Sequence, residues 1–429
     1  MLMVQLQTQR LITSVPKGNL SPTMRLIGSC LLALVLLCGC GVEPLPVESW
    51  TEEELGKIRS RIWDLGPPRD PTNRVAQDPT AQAFGELLYF STLLSADQTV
   101  SCASCHDPAL GLSDGQTTST GLLQPTRRHA PHLWNIGYQR WFYWDGRRDS
   151  LWSQALSPIE DRNEMALDRL SLMRRIRNDE VLSPYYEELF GSYPAVLDGP
   201  LQVAAPEASD PPTEWQENWE LLAEDDRVAL NHAFANVGKA IAAYEMTLTS
   251  GASRFDTYAR AVVSGDKEGQ QDYSAQERLG LRLFIGKARC FFCHTGPRFT
   301  DDEFHNLGLA SIEDLGRISA VETVKTHPFN ALGEYSDDRE SQSARYTSYL
   351  TLSDEQAGQF KTSGLRNISQ SPPYMHDGRF DTLREVIEFY SLLPGRVEVG
   401  HREDFMVPLL LDDEELDALV AFLESLDPL

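Results

Sequence analysis

Two stretches decide how this chain is read: Cys102-Ala-Ser-Cys105-His106 and Cys290-Phe-Phe-Cys293-His294. Each is a Cys-x-x-Cys-His run, the attachment motif of a c-type haem. The two thiols add across the haem vinyl groups as thioethers, and the adjacent histidine ligates the iron. A structural zinc site would bring its Cys-x-x-Cys pairs close together in sequence. Here the pairs lie far apart and each carries its own histidine. A thioredoxin-like redox pair has no need of that histidine twice. The implied cofactors are two covalently bound haems c. Cys102, Cys105, Cys290 and Cys293 hold them, and His106 and His294 are the proximal iron ligands.

The N-terminus points to export. Arg25 precedes an apolar run, Leu26 to Leu37, that suits a signal-peptide core and falls short of the ~20 residues a spanning helix needs. The run ends Leu37-Cys38-Gly39-Cys40, which resembles a bacterial lipoprotein cleavage site with Cys40 as the lipidated first residue. An ordinary cleaved signal is the alternative. Residues 1–39 are therefore read as a signal peptide, with a late start at Met24 as a variant reading. The expected location is the periplasm or cell envelope, with the membrane reached only through a lipid anchor. Of the 7 cysteines, three sit in this segment and four in the haem motifs, so none is left for a disulfide. The net charge of −25 argues against nucleic acid or an anionic membrane surface as partner. It suits a basic partner protein or plain solubility.

The periodic segments are helical. Leu230, Phe234, Val237, Ile241 and Tyr244 form one stripe. Ser274-Ala-Gln-Glu277 is a capping-box pattern. The last helix starts near Asp413, faces Leu416, Leu419, Val420 and Leu423 inward, and opens on an acidic turn that suits the helix dipole. Residues 40–75 read as a tether with a lead-in helix over Glu52–Leu65. Residues 194–215, rich in proline, read as an irregular surface insertion. Gly85-Glu-Leu-Leu-Tyr89 precedes the first motif as Gly280-Leu-Arg-Leu-Phe284 precedes the second. Pro108 and Asp114 follow the first as Pro297 and Asp301 follow the second. The expected fold is mainly α: two tandem cytochrome-c-like haem domains with long loops, over 76–265 and 266–429.

From about residue 76 onward the chain resembles the bacterial dihaem cytochrome c peroxidases and their MauG-like relatives. The resemblance rests on Phe142-Tyr-Trp-Asp-Gly-Arg147, on Leu365-Arg-Asn367 and on Pro373-Tyr-Met-His-Asp-Gly378. It implies a peroxide-reactive N-terminal haem, an electron-relay C-terminal haem, and Trp144 between them. Without that context an aromatic cluster such as Trp141, Tyr143, Trp144 and Trp152 reads as core. The resemblance also implies that Gln154, Pro158 and Glu164 line the distal side of the first haem. Glu164 would be the acid–base group and Gln154 the positioning hydrogen-bonder.

Two departures from the peroxidase pattern stand out. The family's distal histidine falls at Leu122 by direct count and at Gly121 through Arg128 and Pro131; the neighbouring histidines are His129 and His132. The first haem is therefore expected to be open, as in MauG-like proteins. The distal ligand of the relay haem, usually Met, falls on Tyr390, with Met375 and Met406 as rival ligands. A phenolate favours oxidised iron. The family also binds one calcium ion, but its Asn is replaced here by His129, an imidazole and a poor calcium ligand, leaving carbonyls such as Ser371 and Pro373.

Three functions follow. One is reduction of hydrogen peroxide with electrons from a small cytochrome or cupredoxin. Another is MauG-like oxidation of a partner protein's Trp or Tyr. The last is electron transfer without turnover. Family members often pair as homodimers.

Overall fold

The computed structural model describes residues 49–207 and 212–428; the signal segment and Cys40 lie outside the described residues. The chain from Trp50 onward forms one compact unit. Its helices of eight residues or more are α1 (Glu52–Arg59), α2 (Pro79–Phe90), α3 (Leu151–Glu160), α4 (Arg169–Asn178), α5 (Leu182–Phe190), α6 (Glu214–Leu221), α7 (Glu224–Glu245), α8 (Arg254–Ser264), α9 (Ala275–Ile285), α10 (Arg317–Thr326), α11 (Gln342–Tyr349), α12 (Leu383–Leu392) and α13 (Asp413–Glu424), and a single helical turn covers Cys102–Cys105. The strands among the described residues are two short ones, Phe304–His305 and Phe360–Lys361, paired antiparallel.

Local chemistry sets the helix ends. Asp78 caps α2 by accepting from the backbone of Thr80 and Ala81, with Pro79 at the first helical position, where its missing N–H costs nothing. The Ser274/Glu277 capping box forms as the sequence predicts, and a second one, Asp412/Glu415, opens α13. The expected apolar stripe runs along α7, where Leu230, Phe234, Val237 and Ile241 are buried.

The two strongest helix crossings are copies of one another. α2 lies on α7 and α9 lies on α13. A Cβ on Gly85 would run into the Ala240 carbonyl and the Tyr244 side chain, and one on Gly280 into the Ala418 carbonyl and the Phe422 side chain. Both glycines let two helix backbones touch. The repetition continues beyond the motifs. Asn135 and Asn367 both adopt the left-handed conformation, φ 62° and 63°, before a short 3₁₀ turn. Tyr143 and Met375 (φ 67° and 74°) and Gly146 and Gly378 (φ 70° and 63°) shape matching turns. The turns are closed by the bridges Phe142↔Arg148 and Tyr374↔Phe380.

Two apolar cores result. One gathers Phe84, Tyr89, Trp152, Leu156, Phe234 and Ile241; the other gathers Phe255, Phe284, Phe299, Leu419 and Phe422. They are laced together. Phe329 and Tyr335 belong to the first core, and Ile58 of α1 to the second. Arg366 and Asp256, both essentially unexposed, pair at 2.7 Å, and Arg366 also donates to the Arg61 carbonyl at 3.1 Å.

Two expectations need correction. The lead-in is packed, with Ile58 and Thr72 fully buried, and its helix ends at Arg59, before the Gly66-Pro67-Pro68 run. The segment 194–215 is not all surface. Val196, Leu197 and Ala204 join the first core, and Arg174 gathers the carbonyls of Leu197, Leu201 and Gly199. Proline there marks irregular backbone; the apolar residues between still seek burial.

Candidate active site

A cavity of about 610 Å³ runs through the unit. His106 and Cys105 line it from one motif, and Cys290, Cys293 and His294 from the other. Cys102 packs beside the first core instead. The histidines are held alike. His106 Nδ1 donates to the Leu112 carbonyl at 3.2 Å, and His294 Nδ1 to the Phe299 carbonyl at 2.8 Å. A carbonyl can only accept, so Nδ1 carries the proton and Nε2 keeps its lone pair for a metal. Burial lowers both imidazole pKa values, favouring the neutral, ligating form. Leu112 and Phe299 reach these positions with φ 62° and 55°.

These residues fit two haems c. The four cysteines are unpaired thiols, each pair one turn from its histidine. Trp134 Nε1 is buried in the cavity wall without a partner, a donor that a haem's polar edge would satisfy. Cys293, Asp301 and His305 are also within metal-ligand reach of one another. With Cys293 consumed as a thioether, that trio is not a separate metal site.

Trp144, Gln154, Pro158 and Glu164 line the same cavity. Trp144 Nε1 donates to the His129 carbonyl at 2.9 Å, and His129 N–H donates to the His376 carbonyl at 2.9 Å. His129 thus ties the Trp144 turn to its copy at His376. Its ring is engaged by backbone, Nδ1 donating to the Gln116 carbonyl at 2.8 Å. Arg128 clamps the same region, bonding Asp145 at 2.7 Å and Asp314 at 2.6 Å. Burial, reinforced by Asp161 and opposed by Arg147, pushes Glu164 up to about 7. Tyr143 lines the cavity as well, under the Arg147 guanidinium, whereas the remaining two aromatics of the cluster are core. Trp141 and Trp152 are buried, and Trp152 Nε1 donates to Thr72 Oγ1 at 2.9 Å.

The stretch that would carry a distal histidine is packed onto Glu164. Leu122 N–H donates to the Glu164 carbonyl at 3.1 Å, and a Cβ on Gly121 would run into the Asn163 carbonyl. In the second half Tyr390, Met375 and Met406 all line the cavity; burial raises the Tyr390 phenol pKa. Lys361, which the sequence reading did not single out, lines the cavity too, and burial pulls it down to about 8. Its N–H donates to the Trp144 carbonyl at 2.7 Å. Only the pairing of the two short strands places it there, and no motif marks it.

Residues 79–264 match the family model for di-haem cytochrome c peroxidase. The methylamine utilization protein MauG of Methylorubrum extorquens is 31% identical over 349 residues, 81% of this chain and 78% of the relative. The chain belongs to the dihaem cytochrome c peroxidase family. Another family member, cytochrome-c peroxidase IdrP1 of Denitromonas iodatirespirans, is 31% identical over 370 residues, 84% of this chain and 86% of its own. The diheme peroxidase BthA of Burkholderia thailandensis shares the fold at TM-score 0.60 and 22% identity, covering 86% of this chain and 93% of its own. Membership accounts for the mainly helical build and makes haem c the cofactor. No helix among the described residues is long and apolar enough to cross a membrane.

Proposed function

We propose that this protein is an exported peroxidase that reduces hydrogen peroxide at the first haem site with electrons relayed through the second. Bound haem supplies the one-electron chemistry. The two halves, 76–265 and 266–429, would each carry one. Reduction of one peroxide to two waters consumes two electrons and two protons. Glu164 handles the protons. A carboxyl poised near neutrality accepts one from the near oxygen of peroxide and returns it to the departing oxygen. Gln154 orients the peroxide by hydrogen bonding. Trp144 offers an aromatic step between the halves, and Tyr390, which lines the cavity, would help hold the second haem through its phenol oxygen. The electron donor is a small cytochrome or cupredoxin, and the acidic chain suits a basic docking face.

One observation carries this reading: Glu164, raised to about 7, shares a cavity with His106 while no histidine stands on the 119–126 loop. The test adds peroxide to the fully oxidised holoprotein. Prompt peroxide loss without prior reduction is expected. Peroxide loss only after half-reduction overturns the open site, and none at all leaves an electron carrier.

Tyr390 favours a second reading, in which peroxide drives oxidation of a partner protein's Trp or Tyr as in MauG-like enzymes. A ligand that stabilises oxidised iron suits storage of an oxidising equivalent. Lipid anchoring through Cys40 and pairing into homodimers belong to the same proposal. Calcium would need carbonyls such as those of Ser371 and Pro373, because His129 is already engaged by Gln116.

A further inference from the structure

The internal repeat supplies its own control. At the α9–α13 crossing the aromatics that accompany Gly280 are Phe284 and Phe422, with ring centroids 4.9 Å apart. At the α2–α7 crossing the same places hold Tyr89 and Tyr244, 5.1 Å apart. Packing alone is met by phenylalanine, so the hydroxyls serve something further in the first half. Tyr89 Oη donates to the carbonyl of His106 at 2.5 Å, which joins it to the backbone of the iron ligand. Tyr244 is half-buried, and Phe90 beside it is 46% exposed. Glu86 places negative charge near Tyr244, which eases loss of an electron from its ring.

We propose that Tyr89 and Tyr244 form a redox relay that carries an oxidising equivalent from the proximal side of the first site to the protein surface. It works when peroxide has reacted and no electron arrives from the second half. Tyr244 then gives one electron inward through Tyr89 and its phenolic proton to water, leaving a phenoxyl radical at the surface. The outlet protects the site or oxidises a small phenolic reductant.

The relay rests on the peroxide chemistry proposed above, and the test separates the two. Oxidised holoprotein is treated with peroxide and a nitroso spin trap, without reductant. Peroxide loss and trap adducts are measured together, adducts by peptide mass spectrometry. The expected result is an adduct on Tyr244 that falls to background in Tyr89→Phe and vanishes in Tyr244→Phe, with haem content unchanged. The second half shows that the fold accepts phenylalanine at both places. Peroxide loss with no adduct on Tyr244, or an adduct indifferent to Tyr89→Phe, overturns the relay alone. Absence of peroxide loss overturns the parent reading and the relay with it.

Discussion

Pro158 and Tyr390 occupy the same place in two copies of one structural unit. Each is the eighth residue of a helix, α3 or α12, that follows an Asp-Gly-Arg turn, Asp145–Arg147 or Asp377–Arg379. Both side chains line the cavity. One can offer iron an oxygen; the other has no donor atom. In the proposed reading this repeated position is one place where an open first site and a capped second one would differ. The same comparison sets Trp144 against His376.

Replacing Tyr390 by methionine should exchange an oxygen ligand for a thioether. The midpoint potential of the second haem should rise, by an amount on the order of tenths of a volt, because axial ligands span most of the haem range. Spectroelectrochemical titration of the holoprotein measures it. An unchanged potential would show that Met375 or Met406 is already the ligand.

Glu164 should impose a pH dependence on peroxide turnover. Its first task is to accept a proton, so the carboxylate is the active form. With its pKa pushed up to about 7, the rate should climb as pH rises through 7 and level off above. Glu164→Gln should lower the rate about 10²–10⁴-fold and flatten the profile. Stopped-flow measurement from pH 5 to 9 decides. A variant that keeps the slope would move the acid–base role elsewhere.

How much of this was legible beforehand depends on range. The haem motifs, the Ser274 capping box and the α7 stripe are written in neighbouring residues; the capping box and the stripe match the structure, and family membership makes haem c the cofactor. The similarity of Gly85–Tyr89 to Gly280–Phe284 was visible too, but its reason was not. The glycines answer to Ala240 and Ala418, which are distant in sequence. Pro158 and Tyr390 looked unrelated because the identities the two copies share, Asn135/Asn367 and the Asp-Gly-Arg turns, are few, and elsewhere, as at Tyr143/Met375, the repeat survives in backbone conformation alone. Val196 and Ala204 misled for the opposite reason: the prolines around them describe the backbone, and burial is settled by the core they meet.

Gly280→Ala tests whether the helix crossing is as tight as it looks. Within a helix alanine is worth up to about 1 kcal/mol over glycine. Here its Cβ would meet the Ala418 carbonyl oxygen, which belongs to backbone and cannot rotate away. Overpacking of this kind costs roughly 1–3 kcal/mol or more, so the clash should win. Denaturant unfolding should show net destabilisation, and Gly85→Ala should do the same through Ala240. A stabilised variant would mean the helices can part without cost.

Glu245 should make the fold weaker at alkaline pH. It is buried, its Oε2 has no partner, and burial alone pushes it up to about 8. In the unfolded chain the same carboxyl titrates near 4.5. Between these values the folded protein holds a proton that the unfolded chain has released. The sign follows: the contribution to stability is intact below about 4.5 and is lost as pH rises through 8. Each unit between the two values is worth about 1.4 kcal/mol. Glu245→Gln replaces the titrating group with a neutral one of the same shape. Relative to the parent, its unfolding free energy should be little changed at pH 5 and higher at pH 8.5, by an amount on the order of a few kcal/mol. Urea unfolding of holoprotein at the two pH values gives the comparison, and an equal difference at both would show that the carboxyl finds a partner or water on folding.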